Sequence, residues 1–319
     1  MLATAEIVDP LFRRDVLAGL SAAIPAIPAR WLYDHAGSKL FDDITRLPAY
    51  YPTRTETALL EAKMPEIAAR IGPGRAIVEF GAGSATKTPI LLHAARPAIY
   101  VPIDISGEYL KASAAVLDKD FHDLPVHPVV ADFMGPITLP AEIATLPKLG
   151  FFPGSTIGNL VPETATNLLR RWRDLLGVGS LLLIGMDRVK PVERLLAAYD
   201  DPEGVTAAFN LNLLHRINAE LDGDIPVDAF RHRALWNDAL SRIEMHLEAL
   251  RDVAFTVSGR SFSFRAGETI HTENSHKYGY RDSRLLLRAA GWGVVAEWTD
   301  DKEWFSIILA EAEPPRFAP

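Results

Sequence analysis

The stretch 76–87 constrains the fold more than any other. Ala76-Ile77-Val78-Glu79-Phe80 is a short apolar run with an acid near its end, broken by Gly81-Ala82-Gly83, with a helix-like segment following. A parallel sheet presents its first strand and a nucleotide-binding turn in this way. Gly81 and Gly83 permit a sharp turn and let a ligand lie against the backbone. Ala85, Thr86 and Lys87 stand where the third glycine of a dinucleotide fingerprint would fall. Taken alone, the motif leaves open a tight strand-to-helix turn that binds nothing.

The surrounding pattern narrows this. After the first strand the spacing predicts helix near 88–95, strand at 98–105, helix at 108–121 and strands at 126–133 and 149–154. Helix at 162–176 and an almost wholly apolar strand at 180–186 follow, as expected of parallel central strands. The alternation then breaks into helices at 192–199 and 205–221 and alternating stretches at 230–236, 243–250, 254–257 and 261–264. A helix at 281–290 and strands at 292–298 and 304–310, joined by a turn at 299–302, complete the chain. Upstream, helices are expected at 5–23 and 38–47. Thr53-Arg54-Thr55-Glu56 has capping-box spacing and opens a helix that runs to 71. The expected organisation is an N-terminal helical region at 1–72 that contributes to a substrate domain and a core at 73–190. An inserted α/β substrate-binding subdomain at 191–275 and completion of the core at 276–319 follow. A doubly wound α/β sheet closed by an antiparallel hairpin differs from the all-parallel nicotinamide-binding layout. It resembles the class I S-adenosylmethionine-dependent methyltransferase fold.

Composition removes several functions. The chain has no cysteine, so thiolate catalysis, disulfides, iron–sulfur clusters and cysteine zinc sites are excluded. A formal net charge of −8 argues against a general nucleic-acid or anionic-membrane binder. The densest basic cluster, Arg170-Arg171-Trp172-Arg173, reads as the solvated face of a helix. Arg13-Arg14 before an apolar run superficially resembles a twin-arginine leader, but Pro25 and Pro28 interrupt it, and an amphipathic first helix in a cytoplasmic monomer is expected. No run is long enough to span a membrane. His232, His246, His271 and His276 read as scattered, and no metal is expected.

Ligands in such sheets bind at the carboxyl ends of the strands. Asp104 closes the second strand about twenty residues past the glycines, where a carboxylate accepts ribose hydroxyls. Asp132-Phe133 closes the third, pairing an acceptor for the adenine amine with an aromatic cover for the ring. Asn159, in Gly154-Ser155-Thr156-Ile157-Gly158-Asn159-Leu160 after the fourth strand, offers an amide that hydrogen-bonds an amine or a carboxylate. A helix-capping role for Asn159 stays open.

Longer words make the resemblance specific. Trp31-Leu32-Tyr33-Asp34, Gly37-Ser38-Lys39-Leu40-Phe41-Asp42 and the run from Ile44 through Pro48-Ala49-Tyr50-Tyr51-Pro52 to Glu56 resemble the N-terminal signature of the L-histidine Nα-methyltransferases. The likeness continues at 154–160, in Ala198-Tyr199-Asp200-Asp201, in Gly204 to Asn210, in Arg242-Ile243-Glu244-Met245 and in Thr272-Glu273-Asn274-Ser275. These enzymes of ergothioneine biosynthesis convert histidine to its trimethylbetaine, hercynine. The resemblance implies S-adenosylmethionine contacts at Gly81, Lys87, Asp104, Asp132 and Phe133, to which the glycine turn adds Gly83. It implies histidine contacts at Tyr50, Asn159, Tyr199, Met245, Glu273 and Ser275. Asn159 and Tyr199 would hold the carboxylate, and Glu273 and Ser275 the imidazole. Ala82, Ser84, Ala85 and Asn274 depart from the family's pattern. Independently, Glu273 and Ser275 are two apart and point the same way in an extended segment. Without the resemblance, that segment reads as an exposed polar turn and Met245 as core.

The implied reaction is in-line methyl transfer to the neutral α-amine of histidine, with Tyr33 and Tyr50 as candidates to orient the amine or relay its proton. Three alternatives remain at this stage. One is a relative acting on another amino acid, such as a tryptophan derivative. The others are a nicotinamide oxidoreductase and a non-catalytic sensor of histidine or S-adenosylmethionine.

Overall fold

A computed structural model describes residues 9–83, 87–105, 107, 110, 117 and 120–314. Most of the helix expected at 108–121, the loop residues Ser84 and Ala85, and the first residues of the helix expected at 5–23 lie outside these. The chain divides into two compact units: Pro52–Val189 with Lys277–Pro319, and Met1–Tyr51 with Lys190–His276.

The first unit is built on a seven-stranded sheet. Its strands are β1 (Ala76–Phe80), β2 (Ile99–Asp104), β3 (Val129–Val130), β4 (Lys148–Phe152), β5 (Leu181–Asp187), β11 (Trp292–Thr299) and β12 (Phe305–Ala312). Their order is β11-β12-β5-β4-β1-β2-β3. β1 pairs in parallel with both β2 and β4, whereas β12 runs antiparallel to β5 and β11. The closing hairpin therefore gives the class I methyltransferase layout, and the all-parallel nicotinamide layout is not observed. β3 is much shorter than the expected 126–133: Pro125 and Pro128 cannot donate to a ladder, and only an isolated bridge joins Val126 to Tyr100.

Every residue of β1 and β5 is buried. Because successive side chains alternate across a strand, each feeds two cores. Val78, Phe80, Ile184 and Met186 join one cluster with Leu168, Trp172 and Leu287, from α5 (Pro162–Leu176) and α8 (Tyr280–Ala289). Ile77 and Leu183 join another with Leu60, Met64, Ile67 and Leu91, from α3 (Tyr51–Ile71) and α4 (Thr88–Ala95). Thus α3 packs with the sheet, whereas the reading of the sequence groups it with the N-terminal helices. The capping box read at 53–56 does not form the start of α3, which begins at Tyr51. Glu56 instead lies inside the helix and is 1% exposed. The chain re-enters this unit at a buried ion pair, Lys277 with Asp187, 2.8 Å apart.

The second unit holds α1 (Pro10–Leu20), α2 (His35–Arg46), α6 (Val192–Tyr199) and α7 (Val205–Glu220). It also holds a three-stranded antiparallel sheet, β10 (Thr269–His276), β7 (Arg242–Ala249) and β6 (Phe230–Asn237), and a hairpin of β8 (Val253–Val257) with β9 (Arg260–Phe264). Asp34 accepts from Gly37 N at 2.7 Å to cap α2, and from Asn212 on α7 at 2.8 Å, so one side chain starts one helix and ties it to another. Among the described residues, no helix is long and apolar enough to cross a membrane.

Trp172 is the pivot of the first core, stacked on Phe80 at 3.8 Å and edge-on to Phe152 at 4.7 Å. Trp172→Ala is expected to lower the unfolding free energy by about 3–5 kcal/mol, read from urea denaturation. A loss below about 1 kcal/mol would show that this core closes around the cavity.

Candidate active site

In the sheet unit the strand order reverses between β1 and β4, the position where open α/β sheets bind ligands. The loops that leave these two strands carry the glycine turn and Asn159. Gly81 has φ +73°, and a Cβ there would meet the Phe133 ring at 3.2 Å, so both conformation and close approach require glycine. Phe133 is partly buried and held edge-on against Phe152 and Trp172. The Gly83 amide, also at positive φ, donates to Asp104 Oδ2 at 2.9 Å. Asp132 Oδ1 accepts from the Met134 amide at 2.8 Å. The structure thus brings Gly81 and Phe133 together, and Gly83 and Asp104 together, on the carboxyl side of the strands. This donor and acceptor set fits an adenosine cofactor, because a carboxylate that holds a turn with one oxygen retains acceptor capacity for a diol.

Lys87 precedes α4, and its ammonium is paired with Glu56. Two further features of this edge are not evident in the sequence. Glu79, buried at the end of β1, accepts from Thr88 Oγ1 at 2.9 Å and from Tyr100 Oη at 2.6 Å. Burial pushes its carboxyl up to about 7, against the opposing pull of those hydrogen bonds and of Lys87. Ser155, at φ +56°, accepts the Asp187 amide at 2.8 Å and so fixes the 154–160 turn to the end of β5. Asn159 lies in the short 3₁₀ turn Thr156–Asn159.

In the second unit, Tyr33, Tyr50, Tyr199, Met245, Glu273 and Ser275 are brought into one neighbourhood. Register pairs Glu273 with Met245 and Ser275 with Ile243, so both polar side chains share the Met245 face of the sheet. A bulge at Thr272 produces this arrangement; an unbroken strand would put residues 272 and 274 on that face instead. Thr272 Oγ1 donates to Asn210 Oδ1 at 2.6 Å, and Asn210 Nδ2 reaches the His246 carbonyl at 3.1 Å and His232 Nδ1 at 3.0 Å. His232 Nε2 in turn donates to the Tyr199 carbonyl at 2.8 Å. Asn210, fully buried on α7, therefore ties the bulge to the segment that carries Tyr199. Reading the sequence missed it, since nothing local distinguishes it from a polar helix residue.

The Tyr199 hydroxyl lies 2.7 Å from Ser275 Oγ. The Tyr50 ring is 6.0 Å from that of Tyr199 and 6.3 Å from that of Phe41. Tyr33 stands edge-on to Phe41 and Phe209 at 5.4 and 5.3 Å. Burial, reinforced by the negative charge of Glu273 and by Tyr50 and Tyr199, raises the Tyr33 phenol well above its ordinary range, so it stays protonated.

The histidines are less scattered than the sequence suggests. His246 and His271 are cross-strand partners whose rings stack at 4.7 Å. With Glu244, their ligand atoms all lie within 4.8 Å of one another. Arg242 already balances this group: its Nε donates to Glu244 Oε1 at 2.8 Å, beside Asn237 at 2.9 Å. Although burial opposes it, hydrogen bonds from Arg242, Asn237 and His246 hold the Glu244 carboxyl down to about 2. Burial lowers both histidines from their ordinary value.

A profile of histidine-specific, S-adenosylmethionine-dependent methyltransferases matches residues 12–312. The histidine N-alpha-methyltransferase of Mycolicibacterium smegmatis is 40% identical over 316 residues, 96% of this chain and 96% of that protein. Its counterpart in Mycobacterium tuberculosis is 40% identical over 308 residues, 93% of this chain and 94% of that one. Ergothioneine biosynthesis protein 1 of Neurospora crassa is 31% identical over 298 residues, which span 90% of this chain and 33% of that longer protein.

The raised Glu79 carboxyl carries a pH prediction. Its folded value near 7 exceeds the ordinary 4.5, so its contribution to stability is fully present below about 4.5 and is lost as pH rises through about 7. Relative to Glu79→Gln, the wild type should lose stability on the order of 3 kcal/mol between these limits, measured by urea denaturation across pH. Parallel profiles for the two proteins would place the shift elsewhere.

Proposed function

Because the chain belongs to the family of histidine-specific, S-adenosylmethionine-dependent methyltransferases, we propose that it is an L-histidine Nα-methyltransferase. It carries histidine through the mono- and dimethyl forms to hercynine, the first step of ergothioneine biosynthesis. It works as a cytoplasmic monomer on a free amino acid, with no nucleic-acid or membrane partner and no metal. S-adenosylmethionine, when bound, supplies an electrophilic methyl on a sulfonium that is already a good leaving group. The residues of the chain therefore act by orienting, desolvating and handling a proton.

On the cofactor side, Gly81 and Gly83 would let S-adenosylmethionine lie close against the backbone. Asp104 would accept the ribose hydroxyls, Asp132 would accept the adenine amine, and Phe133 would cover the ring. Lys87 would face the same ligand. On the acceptor side, the observation that carries the reading is Glu273 and Ser275 on one face of β10, with the Tyr199 hydroxyl 2.7 Å from Ser275. A carboxylate accepts one imidazole N–H while a hydroxyl serves the other nitrogen. An imidazole answers both groups, whereas an apolar side chain answers neither and an indole, with one N–H and no acceptor nitrogen, answers only the carboxylate, which favours histidine over a tryptophan derivative. Met245 shapes the wall beside them. Asn159 and Tyr199 are assigned the substrate carboxylate.

Methyl transfer breaks the C–S bond, forms an N–C bond and leaves a proton to depart from the nitrogen. The attacking amine must be neutral, and with a reference pKa of about 8 a useful fraction is neutral at physiological pH. Tyr33, kept protonated by burial, orients the amine by hydrogen bonding rather than acting as a phenolate base. Tyr50 is the candidate to pass the proton on. The surrounding faces of Phe41, Tyr50 and Tyr199 suit an increasingly methylated cation. The trimethylated product has no N–H left on that nitrogen and so loses the hydrogen bonds its amine donated to the site.

Incubation with histidine and S-adenosylmethionine should produce mass gains of one, two and three methyls. Absence of any gain, or faster turnover of tryptophan, would overturn the assignment. Glu273→Ala should raise the KM for histidine by about 10–100-fold while the affinity for S-adenosylhomocysteine stays unchanged. Equal loss of both would mark Glu273 as structural.

A further inference from the structure

Glu56 is a deeply buried acid at the carboxyl edge of the sheet that no step above uses. It sits in the first turns of α3 and is 1% exposed. Its two oxygens are each 2.9 Å from the Gly154 amide, which donates to them, and Oε2 also pairs with the Lys87 ammonium. The sheet makes room for it from beneath. A Cβ at Gly185 would lie 2.1 Å from Glu56 Oε1, so β5 carries glycine where the carboxylate enters. Lys87 leads into α4 behind the glycine turn, and Gly154, at φ +85°, opens the turn that ends in Asn159. One carboxylate thus holds one group on each side of the switch point.

We propose that Glu56 is a positioning residue with two separable arms: a charge arm that orients Lys87 toward the cofactor, and an acceptor arm that holds the Gly154–Asn159 turn toward the amino acid. Stability alone is a poor reason for this arrangement. A buried ion pair costs desolvation that well-packed apolar residues of similar volume would avoid. What the pair supplies is direction. A lysine on a flexible four-carbon stem is otherwise a mobile point charge. The bond to a backbone amide also fixes a turn whose positive-φ residues, Gly154 and Ser155, give it little intrinsic preference for one shape. The inference rests on the reading of Lys87 as a cofactor contact and Asn159 as an amino-acid contact.

Substitutions separate the arms. Gln at 56 keeps a carbonyl for the Gly154 amide but turns an N–H₂ donor or a neutral oxygen to the ammonium, so Glu56→Gln cuts the charge arm alone. Glu56→Ala cuts both, and Gly185→Ala pushes the carboxylate away without altering it. The proteins compared are the wild type, these three variants, Lys87→Met and the double variant Glu56→Gln/Lys87→Met. Calorimetric titration with S-adenosylhomocysteine gives cofactor affinity, and steady-state methylation gives the KM for histidine. Glu56→Gln and Lys87→Met should each weaken S-adenosylhomocysteine by about tenfold, with the double variant no weaker than either. Glu56→Ala and Gly185→Ala should in addition raise the KM for histidine by about tenfold, which Glu56→Gln should not do. Multiplying losses in the double variant would overturn the inference. So would Glu56 variants that lower Tm while both constants stay at wild-type values. Unchanged cofactor affinity in Lys87→Met would instead overturn the reading of Lys87, and the charge arm with it. A normal loss in Lys87→Met beside an unaffected Glu56→Gln sinks the inference alone.

Discussion

Buried carboxylates at the carboxyl edge of the parallel sheet must be partnered, and the sheet unit is arranged to meet that requirement three times. Glu79, next to last in β1, is satisfied by Thr88 from α4 and Tyr100 from β2. Glu56 enters from α3 and is satisfied by Lys87 and the Gly154 amide. Asp187 ends β5 and is satisfied by Lys277 as the chain returns. An unpaired charge in such surroundings costs several kcal/mol, so each pairing locks a loop that would otherwise be free to choose among conformations. Those loops surround the switch point, where the glycine turn and Asn159 reside. The same chemistry that keeps the fold from losing stability also gives the cofactor edge its shape.

The second unit solves a different problem, that of aiming two polar side chains at one face of a short sheet. A strand offers alternate residues to each face, and one extra residue reverses the assignment for everything beyond it. The bulge at Thr272 is that residue. It is held by Asn210, whose amide has partners on three strands and whose network extends through His232 to Tyr199. Glu273, Ser275 and the Tyr199 hydroxyl therefore owe their common neighbourhood to a buried asparagine that touches none of their polar atoms in the bonds described above. Aromatic rings from Tyr33, Phe41, Tyr50 and Phe209 fill the adjoining space with edge-to-face contacts, a rigid and weakly polar lining.

Much of this was legible in the chain itself. Apolar runs flanked by turns marked β1, β2, β4, β5 and the closing hairpin, because buried strands need continuous apolar sequence and a polar turn at 299–302 separates the last two. Less legible were elements whose identity depends on distant partners. β3 shrank to two residues because prolines interrupt the donor row. Thr53 to Glu56 has the spacing of a capping box, yet the helix starts earlier and Glu56 binds groups 31 and 98 residues away. His246 and His271 looked unrelated at a separation of 25 positions and stack as cross-strand neighbours.

The sequence by itself determined the glycine turn after β1, the acids at the strand ends and the long words that tie the chain to histidine-specific methyltransferases. These are local or linear properties: a positive φ favours glycine, and a word is read without knowing what it touches. Only the tertiary structure decided which face of β10 carries Glu273 and Ser275, and which groups the Glu56 carboxylate serves. Both depend on a single residue's displacement or a single long-range bond, and periodicity has no means of recording either.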